Sequence, residues 1–222
     1  MNNLQKRIIT STILLLIISI SLFYDKKLWL FFLIIVSLIL FIEFNNLIKK
    51  IWKNKKNTIT RINFISLIFL AIIIFIGYDL YSKPPISLMF IFLICIFSDT
   101  GGYVIGNLIG GKKLTKISPK KTISGSIGSF IFSLFSIIIL WSYDNFTEDY
   151  NFVTNNFLKL IPTCLFLSLI CQLGDLFISY FKRKAKVNDT GSILPGHGGL
   201  LDRSDGVIFV IPVAYLVDKV FF

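Results

Sequence analysis

Long uninterrupted apolar runs constrain this chain more than any other feature. Runs such as Leu28–Leu47 and Ile62–Tyr81 reach the length, roughly 20 residues, that a helix needs to cross a bilayer. Within hydrocarbon no water satisfies a backbone N–H or C=O. A spanning segment must close those bonds internally, as a helix does. Seven such segments can be drawn, at about Ile8–Tyr24, Leu28–Leu47, Ile62–Tyr81, Pro85–Phe97, Gly125–Trp141, Phe157–Tyr180 and Gly206–Phe222. The fourth is short if it stops at Phe97. It either continues through Asp99 to Ile109 or is a broken helix against a cavity. Composition agrees, with 55% hydrophobic residues, 16% charged residues and a mean hydropathy of +0.77. A soluble domain would carry more charge. The expected fold is an all-α polytopic membrane protein of about seven transmembrane helices. Its 222 residues form a single integral membrane domain, with N-terminal spans in 1–97 and a catalytic part in 98–222.

The net charge of +11 would raise nucleic acid as a partner for a soluble protein. Here the topology rule accounts for it, because basic residues gather in loops that stay cytoplasmic. With the N-terminus inside, only Lys26, Lys27, Lys83, Lys159 and Lys219 of the 23 basic residues fall on the other side. The loop at Ser142–Asn156, on that far side, carries acidic residues and no basic one. Anionic lipid headgroups are a compatible second attraction for the basic face. Lys6 and Arg7 followed by Ile8–Phe23 outline a signal peptide, but no small-residue cleavage site follows, so this is read as an uncleaved first span. The expected location is a bacterial inner (cell) membrane. Cys95, Cys164 and Cys171 lie inside apolar runs without ligand spacing and are read as small hydrophobes, not zinc or disulfide residues.

Against this apolar background one stretch stands out, Gly174–Gly206. It holds four of the twelve carboxylates (Asp175, Asp189, Asp202, Asp205), the only histidine, His197, and six of the 14 glycines. Asp175 lies near the cytoplasmic end of an apolar helix, where a carboxylate is costly and normally partnered. At helical spacing Asp175, Ser179, Lys182 and Lys186 share one face, so an Asp–Lys pair near the interface is the plain structural reading. Asp202 and Asp205 flank Arg203 and open the last helix, where N-capping is the alternative for one of them. Clustered carboxylates with one histidine and no cysteine are hard oxygen donors, suited to Mg²⁺. Lys182, Arg183, Lys184, Lys186 and Arg203 are suited to phosphate oxygens. Gly196, Gly198 and Gly199 permit unusual backbone angles and close approach to a ligand, and His197 among them is open to a substrate or a loop contact.

A second polar segment, Ser98–Gly128, falls on the same side. Its run Ser118-Pro119-Lys120-Lys121-Thr122 offers cations and hydroxyls before a helix, a setting that binds anions. Its glycines form no Walker loop. The basic segment Ile48–Thr60 is read as a topology signal.

The stretch Ser179–Asp205, with P-G-H-G-G-L-L-D-R-S-D following K-R, resembles the C-terminal signature of phosphatidate cytidylyltransferases (CDP-diacylglycerol synthases). The upstream D-T-G-G-Y and S-P-K-K-T pieces are similar to that family too. The motifs cover about a quarter of the chain; the remaining spans match only as apolar segments. The resemblance implies transfer of a cytidylyl group from CTP to phosphatidic acid, releasing pyrophosphate, with Mg²⁺ as cofactor and a possible place for a second cation. It implies metal ligation by Asp175, Asp202 and Asp205, and a catalytic set of these with Lys182 and Asp189. The substrate-binding set is Asp99, Ser118, Lys120, Lys121, Thr122, Ser179, Arg183, His197, Gly198, Gly199 and Arg203. The chain departs from the family pattern at Asn107, Ser124, Ile178 and Asn188, and has lost a proline and one residue before S-P. Expected partners are CTP, phosphatidic acid and the bilayer, not nucleic acid; the sequence does not set the oligomeric state and leaves a homodimer open. A related enzyme acting on an ether-lipid phosphate is one alternative. A transporter with Asp99 and Asp175 on an ion path is another, against which the chain shows no repeated halves. A third is a regulatory relative that keeps the motif without activity.

Overall fold

A computed structural model describes residues 3–81, 85–146, 152–196 and 198–221. Among the described residues the chain is helical, with α1 (Asn3–Tyr24), α2 (Lys26–Ile51), α3 (Lys56–Asp79), α4 (Ile86–Ile109), α5 (Ile123–Ser133), α6 (Phe135–Phe146), α7 (Phe152–Lys184), α8 (Leu201–Ser204) and α9 (Val207–Phe221). Among the described residues, five segments are long and apolar enough to cross a membrane, Lys26–Ile51, Lys56–Asp79, Ile86–Ile109, Ile123–Tyr143 and Asn155–Lys184. They correspond to the second through sixth expected spans. The first and seventh correspond to shorter pieces, the apolar Ile8–Tyr24 part of α1 and the 15 residues of α9.

The fourth span does not break. α4 runs through Asp99, Gly101 and Gly102 to Ile109 as one helix. The fifth does break, at Leu134 between α5 and α6. α7, with 33 residues, is about 50 Å long at 1.5 Å per residue, longer than a hydrocarbon core of about 30 Å. That length lets its last turn, Lys182–Lys184, leave the apolar zone. Large apolar side chains such as Phe31, Phe64, Ile65, Phe75 and Leu158 remain exposed, as lipid-facing helices require.

The chain packs as two compact units, each made of two stretches: 1–85 with 178–205, and 86–177 with 206–222. α7 runs continuously from one into the other.

In the first unit Asp25 caps α2, its side chain accepting from the Lys27 N–H at 3.3 Å. A short turn after Trp52 then sends α3 back along α2. Trp29, fully buried, donates its indole N–H to the Gly77 carbonyl at 2.8 Å. A side chain at Gly77 would press on Leu33, so glycine sets how closely α3 approaches. Asn63 donates to Asn45 at 2.8 Å, a polar tie between the two helices.

In the second unit α4 and α5 pack through small residues. A Cβ on Gly101 would lie 2.5 Å from the Gly128 carbonyl oxygen, and one on Gly125 would lie 2.8 Å from that of Gly102. These glycines of the Ser98–Gly128 segment are therefore helix-packing residues. Where a side chain would be, Gly101, Gly125 and Gly128 have backbone or side-chain atoms of the facing helix, and Gly102 has the Ser129 hydroxyl. Buried Ser98 and Ser168 meet at 3.0 Å between α4 and α7, and Ser126 on α5 donates to Gln172 on α7 at 2.5 Å.

Candidate active site

The motif carboxylates divide between the units. Asp202, Asp205 and Asp189 lie in the first, with Ser179, Lys182 and Arg183; Asp175 lies in the second, with Asp99 and the Ser118–Thr122 turn.

Asp202 is the centre of the first unit's polar network. It sits on α8, a single turn that precedes α9, so Asp202 and Asp205 do not open the last helix as expected. Asp205, directly after α8, is buried. Oδ1 of Asp202 accepts from Lys182 Nζ at 2.8 Å. Oδ2 accepts from the Thr190 N–H at 2.8 Å and the Gly199 N–H at 3.0 Å, and lies 3.0 Å from the Thr190 hydroxyl, whose one proton it shares with Glu43. The side chain is only 7% exposed. Burial pushes the Asp202 carboxyl up, but the Lys182 hydrogen bond, the Thr190 N–H, the Lys182 charge and the Gly199 N–H together outweigh it and hold the group below its ordinary value.

Lys182 reaches Asp202 because α7 ends just beyond it. The Val187 N–H bonds the Lys182 carbonyl at 3.0 Å and the Lys186 N–H that of Arg183 at 3.1 Å, the paired bonds of a Schellman ending. Lys186 occupies the left-handed position of that motif, with φ of 55°, so it lies outside the helical stripe that spacing assigned to it. The expected Asp–Lys pair within the stripe is not what forms: Lys182 pairs with Asp202, and Asp175 pairs with Lys121.

The loop between α7 and α8 is closed by Leu194 and Gly198, each donating its N–H to the other's carbonyl, at 2.9 and 3.1 Å. Gly196 and Gly198 take φ of 79° and 86°, which favour glycine. A Cβ on Gly198 would lie 3.1 Å from both the exposed Asp189 and Oδ2 of Asp202, so Asp189 and Asp202 flank this glycine. His197 lies outside the described residues. Ser179 is buried on α7, while Arg183 and Arg203 are exposed cations.

In the second unit Pro119 and Lys120 form a turn closed by the Lys121 N–H on the Ser118 carbonyl at 3.1 Å, the usual preference of Ser and Pro for its first two places. Thr122 is the N-cap of α5, accepting from the Gly125 N–H at 3.0 Å, so its hydroxyl has a structural task. Lys120 and Asp99 are exposed. Ser124, one of the departures, bonds the Gly110 carbonyl and Thr122. Ile178, another, is buried and packed.

Sequence reasoning missed Glu43. This α2 residue is 2% exposed. Its Oε2 accepts from the Leu201 N–H at 2.8 Å and lies 2.9 Å from the Thr190 hydroxyl, whose one proton it shares with Asp202, and its Oε1 accepts from the Leu200 N–H at 3.0 Å. Leu200 is the N-cap of α8 and Leu201 its first residue, so Glu43 satisfies N–H groups that a helix start leaves open. The signal was present: Glu43 is the single ionisable residue of the Leu28–Leu47 run, and such a residue in a span asks for a function.

A family model described as the cytidylyltransferase family matches residues 44–221. The chain belongs to the cytidylyltransferase family. Among curated relatives, the phosphatidate cytidylyltransferase of Rickettsia bellii is 33% identical, over 99% of this chain and 93% of that protein. That of Rickettsia typhi is 34% identical, over 96% and 91%. That of Staphylococcus haemolyticus is 46% identical over 57% of this chain, which spans 46% of the staphylococcal protein. The family match begins one residue after Glu43 and takes in Lys182, Thr190, Gly199 and Asp202.

Proposed function

We propose that this membrane protein transfers the cytidylyl group of CTP to phosphatidic acid, giving CDP-diacylglycerol and pyrophosphate for phospholipid synthesis. The observation that carries the reading is the site at Asp202, a buried carboxylate held by a lysine and three loop donors inside the family's signature. The named activity of the rickettsial relatives, which align over nearly the whole chain, supports it.

A phosphate monoester is largely dianionic at neutral pH, because its second pKa is about 6. Phosphatidate therefore needs little help from a general base. One of its oxygens forms a bond to the α-phosphorus of CTP as the α–β anhydride bond breaks, and the electron pair leaves with pyrophosphate. Such chemistry depends on positioning and on neutralising charge. Lys182, Arg183 and Arg203 supply cations beside the loop that carries Asp202, and Asp189 and Gly198 border the same loop. In the other unit, Lys120 stands exposed before the N-terminus of α5, a setting that suits a phosphate oxygen.

The donor chemistry fits Mg²⁺. Oδ2 of Asp202 faces two N–H donors and the shared Thr190 hydroxyl, but Oδ1 meets Lys182 alone among the described residues and keeps a lone pair for a hard cation. No group of three acidic, histidine or cysteine side chains gathers among the described residues. Mg²⁺ asks for only one or two carboxylates, with water and substrate phosphates completing its shell. Asp202 and Asp205 would hold it; Asp175, the third carboxylate that the resemblance implies, is paired with Lys121 in the other unit. When bound, the ion would offset charge building on the phosphoryl oxygens and the leaving pyrophosphate. The basic loops favour a cytoplasmic site, where CTP is available.

The test is direct. Purified protein in mixed micelles, given CTP, Mg²⁺ and phosphatidic acid, makes CDP-diacylglycerol and pyrophosphate in equal amounts. Absence of both products overturns the function. Product only from an ether-lipid phosphate reassigns the substrate.

A further inference from the structure

We infer that Glu43 is a positioning residue for this reaction: from α2 it fixes the loop that carries Asp202, and so sets where the Asp202 carboxylate stands. The inference rests on the proposed function and adds to it a residue outside the signature.

A carboxylate 2% exposed within an apolar helix is costly to desolvate, and an apolar side chain of similar volume would pack the same place without that cost. Its value therefore lies in what it holds. Among the described residues its hydrogen bonds go to the loop and to the start of α8, through Thr190, Leu200 and Leu201. The loop is shaped to admit it. A Cβ on Gly191 would lie 2.6 Å from Oε1, and one on Gly199 would lie 2.5 Å from Oε2. These two glycines leave room for the Glu43 carboxylate.

The link to Asp202 is short. The Thr190 hydroxyl lies 2.9 Å from Oε2 of Glu43 and 3.0 Å from Oδ2 of Asp202. Gly199, which donates its N–H to Asp202, is followed directly by Leu200, which donates its N–H to Glu43. Two carboxylates 159 residues apart in sequence thus bond the same short backbone segment. Glu43 itself is too buried to touch a substrate and acts through Asp202. Outer partners of this kind typically change metal affinity or activity by about 10–100-fold when altered.

The experiment uses the full chain in mixed micelles with CTP, phosphatidic acid and varied Mg²⁺, with rates normalised to folded protein. Glu43→Gln keeps the volume but turns one acceptor oxygen into a donor facing N–H or O–H groups. We expect kcat to fall about 10–100-fold and the apparent Mg²⁺ constant to rise, with KM for phosphatidic acid little changed. Thr190→Val should reproduce both shifts, Thr190→Ser should restore them, and the Glu43→Gln/Thr190→Val double variant should lose less than the two losses combined. A purely structural Glu43 would lower the folded yield and leave kcat and the Mg²⁺ constant of the folded fraction at wild-type values; that result overturns the inference. Should Glu43→Gln not fold, Thr190→Val with wild-type constants overturns it equally. A wild-type chain that makes no CDP-diacylglycerol fails the function itself, whereas a working wild type matched by Glu43→Gln fails this inference alone.

Discussion

Lys182 places its ammonium 2.8 Å from Oδ1 of Asp202, joining the last turn of α7 to a single-turn helix twenty residues further on. The opposite oxygen of the same carboxylate takes two N–H groups and a hydroxyl. Both faces of Asp202 thus demand an acceptor.

Asp202→Asn follows from that demand. Whichever way the amide turns, its NH₂ meets either Lys182 or the Thr190 and Gly199 donors. We expect turnover to be abolished while the protein still inserts in the membrane, read as CDP-diacylglycerol formed at matched expression. Near-normal activity would remove Asp202 from the catalytic machinery.

The acid side of the stability profile should depend on the same pair. The folded carboxyl titrates below its unfolded value of about 3.9. The stability it contributes is complete above that unfolded value and is lost as pH falls through the lower, folded one. Lys182→Met removes both the hydrogen bond and the charge that hold the group down, while burial still pushes it up. Acid unfolding of this variant, followed by thermal stability across pH 3–6 (about the carboxylate range), should begin at higher pH than in the wild type. An unchanged acid limb would contradict the assignment.

Glycine at 199 is required by space, not by backbone angle. A methyl group there would collide with the Thr190 hydroxyl and crowd Oε2 of Glu43. Gly199→Ala should destabilise the protein by about 1–3 kcal/mol and reduce turnover among the molecules that remain folded. Gly198→Ala, at φ of 86°, should cost about 1–2 kcal/mol through its left-handed backbone. Denaturation midpoints of the two variants against wild type provide the check.

Lys186 is the reverse case, a side chain where glycine is preferred. With φ of 55° at the left-handed position after α7, Lys186→Gly should raise stability by about 1 kcal/mol. A fall in melting temperature would show that the lysine side chain has a compensating role.

Helix packing between α4 and α5 offers a check remote from Asp202. Gly101→Leu would place its Cβ 2.5 Å from the Gly128 carbonyl oxygen and force the helices apart. The expected result is a marked loss of folded protein in detergent, larger than for substitution at Gly110, where a Cβ meets nothing within 4 Å.

Much of this was legible in the sequence because a bilayer leaves few choices. The apolar runs had to be helices, and α2, α3, α4 and α7 fall where the runs fall. The breaks were less legible. Apolarity alone left the fourth helix either stopping at Phe97 or continuing through Asp99 to Ile109; α4 continues, and its glycines Gly101 and Gly102 pack against α5. Asp202 and Lys182 were both identified from the signature. Their pairing was not, since helical spacing joined Lys182 to Asp175 and carried no information about a loop returning from residue 202.

The sequence by itself determined the helical membrane class and the family, and picked out the carboxylates of the signature, since hydropathy and a dense local motif are both properties of contiguous residues. Only the tertiary structure decided which partner each carboxylate has: Lys121 for Asp175, Lys182 and Thr190 for Asp202. Only the tertiary structure brought Glu43 to the same loop. The reason is physical. A buried carboxylate must find donors wherever the fold supplies them, and for Glu43 they lie some 150 residues away along the chain, beyond the reach of any local pattern.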